Sequence, residues 1–302
     1  MSLREQTGVP ASSPVVEVDG VQIAVWREGT GQPLVCLHAI GHGGRDFEEI
    51  AATLKNRFEV IRVDWPGQGR SGTDPLPPTP ARYAELLRGI LTHFGIGTPI
   101  LIGNSIGGAT AIYYASRYPV RGLVLCDPGG LLEVTPSIQK ACAAFARFFA
   151  AGERRAWWFK AAFYLYYRFL VLPSPKAAAQ RGRIIAACYE IAGVLKDAWL
   201  GFGKVESDLR IMARQLDVPA WFAWARQDRI VALKQNLPVI RTMKNASVST
   251  FAGGHAAFLE QPEEFLQGFR EFCDRHDLTA ALSERTAPQA IAKARALAPE
   301  LS

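Results

Sequence analysis

The hydrophobic positions of this 302-residue chain form short continuous apolar runs, which alternate with longer segments whose apolar residues recur every three or four positions. Short apolar runs are typical of strands buried on both faces, and the longer period is typical of helices. The predicted strands are 33–38, 58–64, 99–104, 121–127, 218–225 and 246–251, and residues 15–29 predict a hairpin that turns at Asp19–Gly20. The predicted helices are 47–56, 81–94, 106–118, 232–243 and 261–276.

Strands that alternate with helices predict right-handed crossovers and a mostly parallel sheet covered on both faces, here with eight strands in an α/β fold. Residues 131–210 interrupt this alternation because they are helical throughout and rich in aromatic side chains. We therefore expect four parts: the first part of an α/β core (1–130), a helical insertion (131–210), the second part of the core (211–278) and a peripheral or partly disordered tail (279–302).

Composition and charge are those of an ordinary globular protein, with 49% hydrophobic and 21% charged residues and a net charge of +6. The basic residues are scattered, so no nucleic-acid partner is expected. The five cysteines show no CxxC spacing, which predicts free thiols, a reducing compartment and no metal site. The first 14 residues lack the apolar segment of a signal peptide, and Lys160 and Arg168 interrupt the most apolar stretch (156–172). We expect a cytoplasmic protein without a membrane span.

Ser105 lies in the sequence GNSIG (103–107), between a predicted strand and a predicted helix. This G-x-S-x-G pattern is typical of a nucleophile elbow, a sharp turn that lifts the serine hydroxyl above the sheet. A side chain at Gly103 or Gly107 would collide with the turn or a neighbouring element, and the Ile106 N–H would point at a developing oxyanion. The alternative is a serine that only caps the helix.

A nucleophilic serine needs a base and an acid, and both follow later strands. His255 comes after the last predicted strand in AGGHAAF, and Asp228 follows strand 218–225. A carboxylate fixes the histidine tautomer and stabilises the imidazolium. The order Ser105, Asp228, His255 therefore predicts a nucleophile–acid–base triad.

Two alternatives for the acid remain open. Asp228 has arginines nearby in sequence, at 226 and 229, with which it can form a structural salt bridge. Asp127 also stands at a strand end and is a rival acid, although the Pro-Gly-Gly after it is typical of an exit towards the insertion.

A glycine-rich turn, LHAIGHGG (37–44), follows the first buried strand and can supply a second oxyanion N–H. We predict Ile40 as that donor, with Ala39 as the next choice. His38 is expected to brace the loop by hydrogen bonds. His42 faces either the substrate pocket or solvent.

These motifs together resemble the α/β-hydrolase fold family over residues 15–276. DWPGQGRSG (64–72) is similar to the D-x-x-G-x-G-x-S loop of that family, and the insertion stands where the family carries a helical cap. The resemblance implies a serine hydrolase that works through an acyl-enzyme without a metal or organic cofactor. A serine at 105 argues against haloalkane dehalogenases and epoxide hydrolases, in which that residue is an aspartate.

Within the family, GNSIGG and DPGGLLEVTP resemble the branch that hydrolyses carbon–carbon bonds of ring-cleavage diketones. Asn104 fits the asparagine that this branch places before the serine. The chain departs from the branch at Ala256, where a tryptophan is usual, and at Ala39, where glycine is usual. A carboxylic ester or lactone of a hydrophobic small molecule is therefore the preferred substrate.

The aromatic cap segment, 145–170, predicts an apolar pocket, although most of its rings are expected to pack between helices. The residues expected to contact substrate are Ala39, His42, Asn104, Trp158, Phe163 and Ala256. An amphipathic helix lying on a membrane is an alternative for the same segment.

Two other activities stay open, a ligand receptor that keeps the fold and a cofactor-free perhydrolase or haloperoxidase. The chain is expected to be a monomer or homodimer.

Overall fold

The computed structural model describes residues 14–279 of the chain. Its strands are β1 Val15–Val18, β2 Val21–Glu28, β3 Gln32–Leu37, β4 Phe58–Val63, β5 Ile100–Asn104, β6 Gly122–Cys126, β7 Ala220–Ala225 and β8 Ala246–Phe251. Its α-helices are α1 Glu48–Leu54, α2 Pro80–His93, α3 Ile106–Ala115, α4 Pro136–Glu153, α5 Phe159–Tyr166, α6 Ala178–Ala186, α7 Ala192–Phe202, α8 Arg210–Gln215, α9 Leu233–Ile240, α10 Ala257–Glu260 and α11 Pro262–Arg275. All but the first residue of the predicted tail, 279–302, lies outside the described residues.

The eight strands form one sheet in the order β1-β2-β4-β3-β5-β6-β7-β8. The β1–β2 and β2–β4 pairs are antiparallel, and every other neighbouring pair is parallel. The prediction of a mostly parallel eight-stranded sheet is confirmed, because the predicted apolar runs became the central strands. β5, β6 and β7 are buried along their whole length, as strands covered by helices on both faces must be.

The carboxyl ends of the central strands lie level with one another. Leu37 is paired with Gly103 on β5, and Asn104 at the end of β5 is paired with Cys126 on β6. The loops that leave these strands therefore meet at one edge of the sheet, where ligands bind in open α/β folds.

The segment between β6 and β7 is helical, as predicted, and residues 131–210 contain no strand. In it α4 packs against α7, and α5 continues into a π-helical turn at Tyr167–Val171. The inner face of α5 is fully buried through Phe159 and Phe163, which pack against Phe149 of α4. The segment thus has an aromatic core of its own.

The five cysteines are buried free thiols. Burial raises the pKa of Cys36 and Cys273 to about 12, so these two thiols behave as small hydrophobic side chains. No helix within residues 14–279 is long and apolar enough to cross a membrane.

Candidate active site

Ser105 occupies the turn between β5 and α3 with φ 55° and ψ −115°, which a non-glycine residue rarely adopts. Its N–H donates to the Cys126 carbonyl at 3.1 Å, so the strained turn is tied to β6. A Cβ on Gly107 would lie 2.1 Å from the Leu37 oxygen, and a Cβ on Gly103 would lie 2.3 Å from the Gly107 oxygen. Both positions therefore require glycine, for the steric reason predicted from the sequence.

His255 and Asp228 form a buried hydrogen-bonded pair. His255 Nδ1 lies 2.8 Å from Asp228 Oδ2, and the residues are 4% and 7% exposed. Asp228 Oδ1 accepts the N–H groups of Ile230 and Val231 at 2.7 and 2.9 Å. These contacts fix the carboxylate and orient the ring so that Nε2 is the nitrogen left for a substrate or nucleophile.

The charge environment of His255 favours the imidazolium. Burial is the largest single influence and lowers its pKa, but the charge and hydrogen bond of Asp228, together with Asp127 and Glu260, outweigh burial, so the pKa is raised above 6.5. The raised pKa means that this imidazole holds a proton more strongly than an exposed histidine does.

Asp127 lies directly beside this pair. Its Oδ1 accepts the Ala225 N–H at 2.7 Å, and its Oδ2 is buried without a hydrogen-bond partner among the described residues. Burial and the nearby Asp228 charge raise the pKa of Asp127 well above its usual range. The raised pKa favours the protonated form of Asp127 more than that of an exposed carboxyl group, and His255 bonds to Asp228 instead.

The same three residues are also where a cation would fit. One ligand atom of each of Asp127, Asp228 and His255 lies within 4.8 Å of the others. The Asp228 oxygens, however, already face three N–H donors, which suits an acid–base pair better than a metal ligand.

One residue of the loop after β3 and the first residue of α3 each border the cavity above Ser105 with a backbone N–H. The Gly41 N–H donates to Gln68 Oε1 at 2.6 Å and the His42 N–H to the Ala39 carbonyl at 3.2 Å. The N–H groups of Ile40 and Ile106 have no acceptor among the described residues, and both residues line the cavity above Ser105. Both N–H groups can therefore donate to an acceptor in the cavity.

His38 holds this loop rather than facing the cavity. Its Nδ1 donates to the Ala39 carbonyl at 2.7 Å and its Nε2 accepts the Trp65 N–H at 2.8 Å. Burial lowers the pKa of His38 to about 4, so the ring is neutral, as a brace with one donor and one acceptor requires.

Above Ser105 lies a cavity of about 820 Å³ between the sheet edge and the helical segment. Ser105, His255, Ala39 and His42 all border it, which places these four predicted residues together. Its other walls are mainly apolar, with Leu131, Leu132, Val134, Ile138, Phe145, Tyr166, Tyr167, Val171, Leu195, Trp199, Phe202, Ile230, Val231 and Val239.

His42 is oriented from behind by a second histidine–carboxylate pair. Its Nδ1 lies 2.5 Å from Asp46 Oδ2, and both side chains are buried. The other Asp46 oxygen accepts from Gln180 of α6. This network links the loop after β3 to the helical segment. Of the two predicted placements of His42, pocket or solvent, the structure has the one in the pocket.

Four residues expected to contact substrate do not border the cavity. Asn104 is fully buried below it, where Nδ2 donates to the carbonyls of Cys126 and His255 at 3.0 and 2.9 Å. Ala256 is 1% exposed and precedes α10. Phe163 is buried in the aromatic core of the helical segment, and Trp158 is 39% exposed at the surface.

The reason for this correction is that aromatic residues occupy several faces of α5. Phe159 and Phe163 point towards α4, whereas Tyr166 and Tyr167 reach the cavity. Helical spacing alone does not indicate which aromatic face meets the substrate.

Two positioning residues had no clear signal in the sequence. Glu260, fully buried, accepts the N–H groups of Ser174 and Gly254 at 2.9 and 2.5 Å, and so ties the helical segment to the loop of His255. Gln68 fixes Gly41 and lies inside the recognised 64–72 motif, but the motif predicts only the shape of a loop.

Comparison with known proteins gives two relatives that span most of both chains. The pyrrolizixenacetamide deacetylase of Xenorhabdus hominickii is 26% identical over 273 residues, 87% of this chain and 98% of that protein. A 2-hydroxy-6-oxononadienedioate/2-hydroxy-6-oxononatrienedioate hydrolase of Burkholderia vietnamiensis is 27% identical over 283 residues, 88% of this chain and 96% of that protein.

Among solved structures, the thermophilic esterase from Thermogutta terrifontis in its malate-bound form matches with a TM-score of 0.72 and 21% identity, covering 88% of this chain and 97% of the other. The alpha/beta hydrolase family model matches residues 34–267. Because this match runs from β3 into α11 and takes in every strand of the parallel part of the sheet, the chain belongs to the alpha/beta hydrolase family.

Proposed function

We propose that the protein hydrolyses a carboxylic ester or lactone of a hydrophobic small molecule through an acyl-enzyme on Ser105. The observation that carries the proposal is the buried Asp228–His255 hydrogen bond, 2.8 Å long, beside a serine that borders the same apolar cavity. A base oriented by a carboxylate next to a serine is the arrangement that nucleophilic acyl transfer needs.

In the first half-reaction, His255 Nε2 takes the Ser105 hydroxyl proton while Oγ attacks the substrate carbonyl. The Ile40 and Ile106 N–H groups hold the oxyanion, and each contributes about 3–4 kcal/mol to lowering the barrier. The tetrahedral intermediate collapses, His255 gives its proton to the leaving alkoxide oxygen, and the acyl group stays on Ser105.

In the second half-reaction, His255 removes a proton from water, and the hydroxide attacks the acyl carbonyl. His255 then protonates Ser105 Oγ as the ester bond to the serine breaks, and the carboxylic acid leaves. Asp228 keeps the ring oriented and stabilises the imidazolium in both halves. No step uses Asn104, Trp158, Phe163 or Ala256.

The cavity supports a hydrophobic acyl or alcohol group. Phe145 and Trp199 are stacked at 4.1 Å in its wall, and Tyr166 and Tyr167 complete an aromatic side. A volume of about 820 Å³ suits a small molecule of drug size, since such pockets span roughly 300–1,000 Å³.

The test is a series of p-nitrophenyl esters of increasing acyl length, measured with the wild type, Ser105→Ala and Ser116→Ala. Ser116 ends α3, at the opposite end from Ser105, and its hydroxyl bonds to the Tyr113 carbonyl, so it is a matched control. We expect ester hydrolysis to depend on Ser105 and not on Ser116. Equal activity in wild type and Ser105→Ala would overturn the proposal.

Carbon–carbon bond hydrolysis is the second candidate, because GNSIGG resembles the branch with that activity and a relative at 27% identity is named a 2-hydroxy-6-oxononadienedioate/2-hydroxy-6-oxononatrienedioate hydrolase. A ring-cleavage diketone assayed beside the esters separates the two candidates by their kcat/KM values. Two further alternatives are tested by separate measurements. Peroxide-dependent bromination of a dye would indicate a perhydrolase or haloperoxidase. A ligand-dependent rise in Tm without turnover would indicate a receptor.

A further inference from the structure

The outer side of α5 and its flanking turns exposes large apolar residues that no other part of the described chain covers. Trp157 is 91% exposed, Phe169 60%, Leu165 53% and Tyr164 46%. Together with Lys160, these residues form the cap outer face. Trp157, Lys160, Tyr164 and Leu165 border one shallow surface groove, which shows that they lie side by side.

The opposite side of the same helix is packed into the protein, so the outer face does not result from a loosely attached helix. Phe159 and Phe163 are fully buried, and Tyr167 is 2% exposed. Folding thus fixes α5 with one aromatic face inside and a second one in contact with solvent. Exposed apolar patches of this kind mark interaction sites.

The segment that carries the face is basic, and Glu153 and Glu190 are the acidic residues that flank it in the sequence. Residues 154–189 contain seven Lys and Arg residues and no Asp or Glu. Lys176 pairs with Glu263, and the salt bridges within residues 14–279 include none of the other six. Arg154, Arg155 and Lys160 are exposed next to Trp157 in the sequence.

We propose that the cap outer face docks on the surface of an anionic lipid bilayer. Tryptophan and tyrosine favour the headgroup region, where their rings meet lipid and their polar atoms meet water. Lysine and arginine beside them are attracted to anionic headgroups, each by the equivalent of about a fivefold change in affinity. A second copy of the chain fits less well, because a twofold contact on this face would set the two unbalanced basic surfaces against each other.

The test is co-sedimentation of the full chain with vesicles of phosphatidylcholine alone or with phosphatidylserine as about a third of the lipid. Ser105→Ala is tested beside the wild type. Binding by this variant makes docking independent of the proposed hydrolysis, so failure of one proposal leaves the other standing. We expect both proteins to bind only the anionic vesicles, and salt to weaken binding.

Variants locate the contact. Trp157→Ala is expected to weaken vesicle binding roughly tenfold, because one large apolar side chain is no longer buried in the bilayer. Lys160→Glu is expected to weaken it by about fivefold or more, because one cation is lost and a negative charge takes its place. Leu76→Ala, at a residue 52% exposed in the loop before α2, and Lys55→Glu, just before β4 at the opposite end of the sheet, are the matched controls.

Three results would overturn the proposal. One is the absence of binding to anionic vesicles at low salt. Another is equal weakening by the control variants. The third is a dimer in light scattering that dissociates in Trp157→Ala, since this would assign the face to a second copy of the chain.

Discussion

Asp127 and Asp228 end neighbouring strands and place carboxyl oxygens within 4.8 Å of each other and of one His255 nitrogen, yet their environments differ. Asp228 is surrounded by three N–H donors, whereas one oxygen of Asp127 has no partner among the described residues. Two carboxyl groups this close do not ionise equally. The raised pKa of Asp127 favours its neutral form, and Asp228 is the carboxyl group that bonds to His255.

Asp228→Asn is therefore expected to lower kcat for ester hydrolysis by about 10⁴-fold, because the wrong histidine tautomer is then favoured. Asp127→Asn should change kcat less than about tenfold, because Asp127 does not bond to His255 and asparagine keeps both its shape and an oxygen for the Ala225 N–H. Steady-state kinetics of both variants measure the difference. Equal losses would make Asp127 a second working acid, and a larger loss in Asp127→Asn would assign it the role given to Asp228.

The raised pKa of His255 predicts the acidic limb of the pH profile. His255 must be neutral to accept the Ser105 proton, so kcat/KM for an ester should rise with pH through a pKa above 6.5. The pair with Asp228 favours the charged ring, so its contribution to stability is complete below the unfolded pKa of 6.5 and is lost as pH rises through the raised pKa.

Residual activity in Asp228→Asn provides the internal control for that profile. Removing the carboxylate leaves burial as the larger influence, so the acidic limb should move to lower pH. An unchanged limb would mean that a group other than His255 titrates in it.

The close approach of Gly107 to β3 predicts a large steric cost for any side chain there. A Cβ would lie 2.1 Å from the Leu37 oxygen and 2.9 Å from the His38 oxygen, both backbone atoms. We expect Gly107→Ala to lower the free energy of unfolding by about 3 kcal/mol or more. Urea denaturation gives this value directly.

Gly182→Ala is the matched control, because it lies inside α6 with no heavy atom within 4 Å of an added Cβ. It should raise the free energy of unfolding by about 0.5–1 kcal/mol through helix propensity. If both substitutions changed stability by the same amount, the turn around Ser105 would not be as tightly packed as described.

The sheet was predictable, and so was the placement of Ser105, Asp228 and His255 at one of its edges, because both follow from local signals and strand order. The apolar runs at 99–104 and 218–225 match β5 and β7 to within two residues at each end, and Ser105 and Asp228 follow the ends of these two strands. Since parallel strands end at a common edge, sequence order alone brought these residues together. The glycines of the turn were also predictable, because the G-x-S-x-G pattern indicates a turn without room for a side chain, at Gly103 against the turn itself and at Gly107 against the end of β3.

The substrate wall was not predictable, since it depends on which way each helix of the insertion is rotated. Phe163 and Tyr166 are three residues apart on α5, yet one is buried in the aromatic core and the other lines the cavity. The Gln180–Asp46 contact joins residues 134 positions apart. No local pattern encodes either choice, because both are settled by packing between elements.

The central claim is that Ser105 carries an acyl group during turnover, and rapid mixing with excess p-nitrophenyl ester measures this most directly. We predict a burst of p-nitrophenol of about one equivalent per enzyme, provided that deacylation is the slower step, with the acyl mass on the peptide that contains Ser105 after acid quenching. Ser105→Ala should show neither the burst nor the adduct, with turnover reduced by about 10⁶-fold. Hydrolysis that continues in Ser105→Ala, or an acyl mass on another residue, would contradict the account.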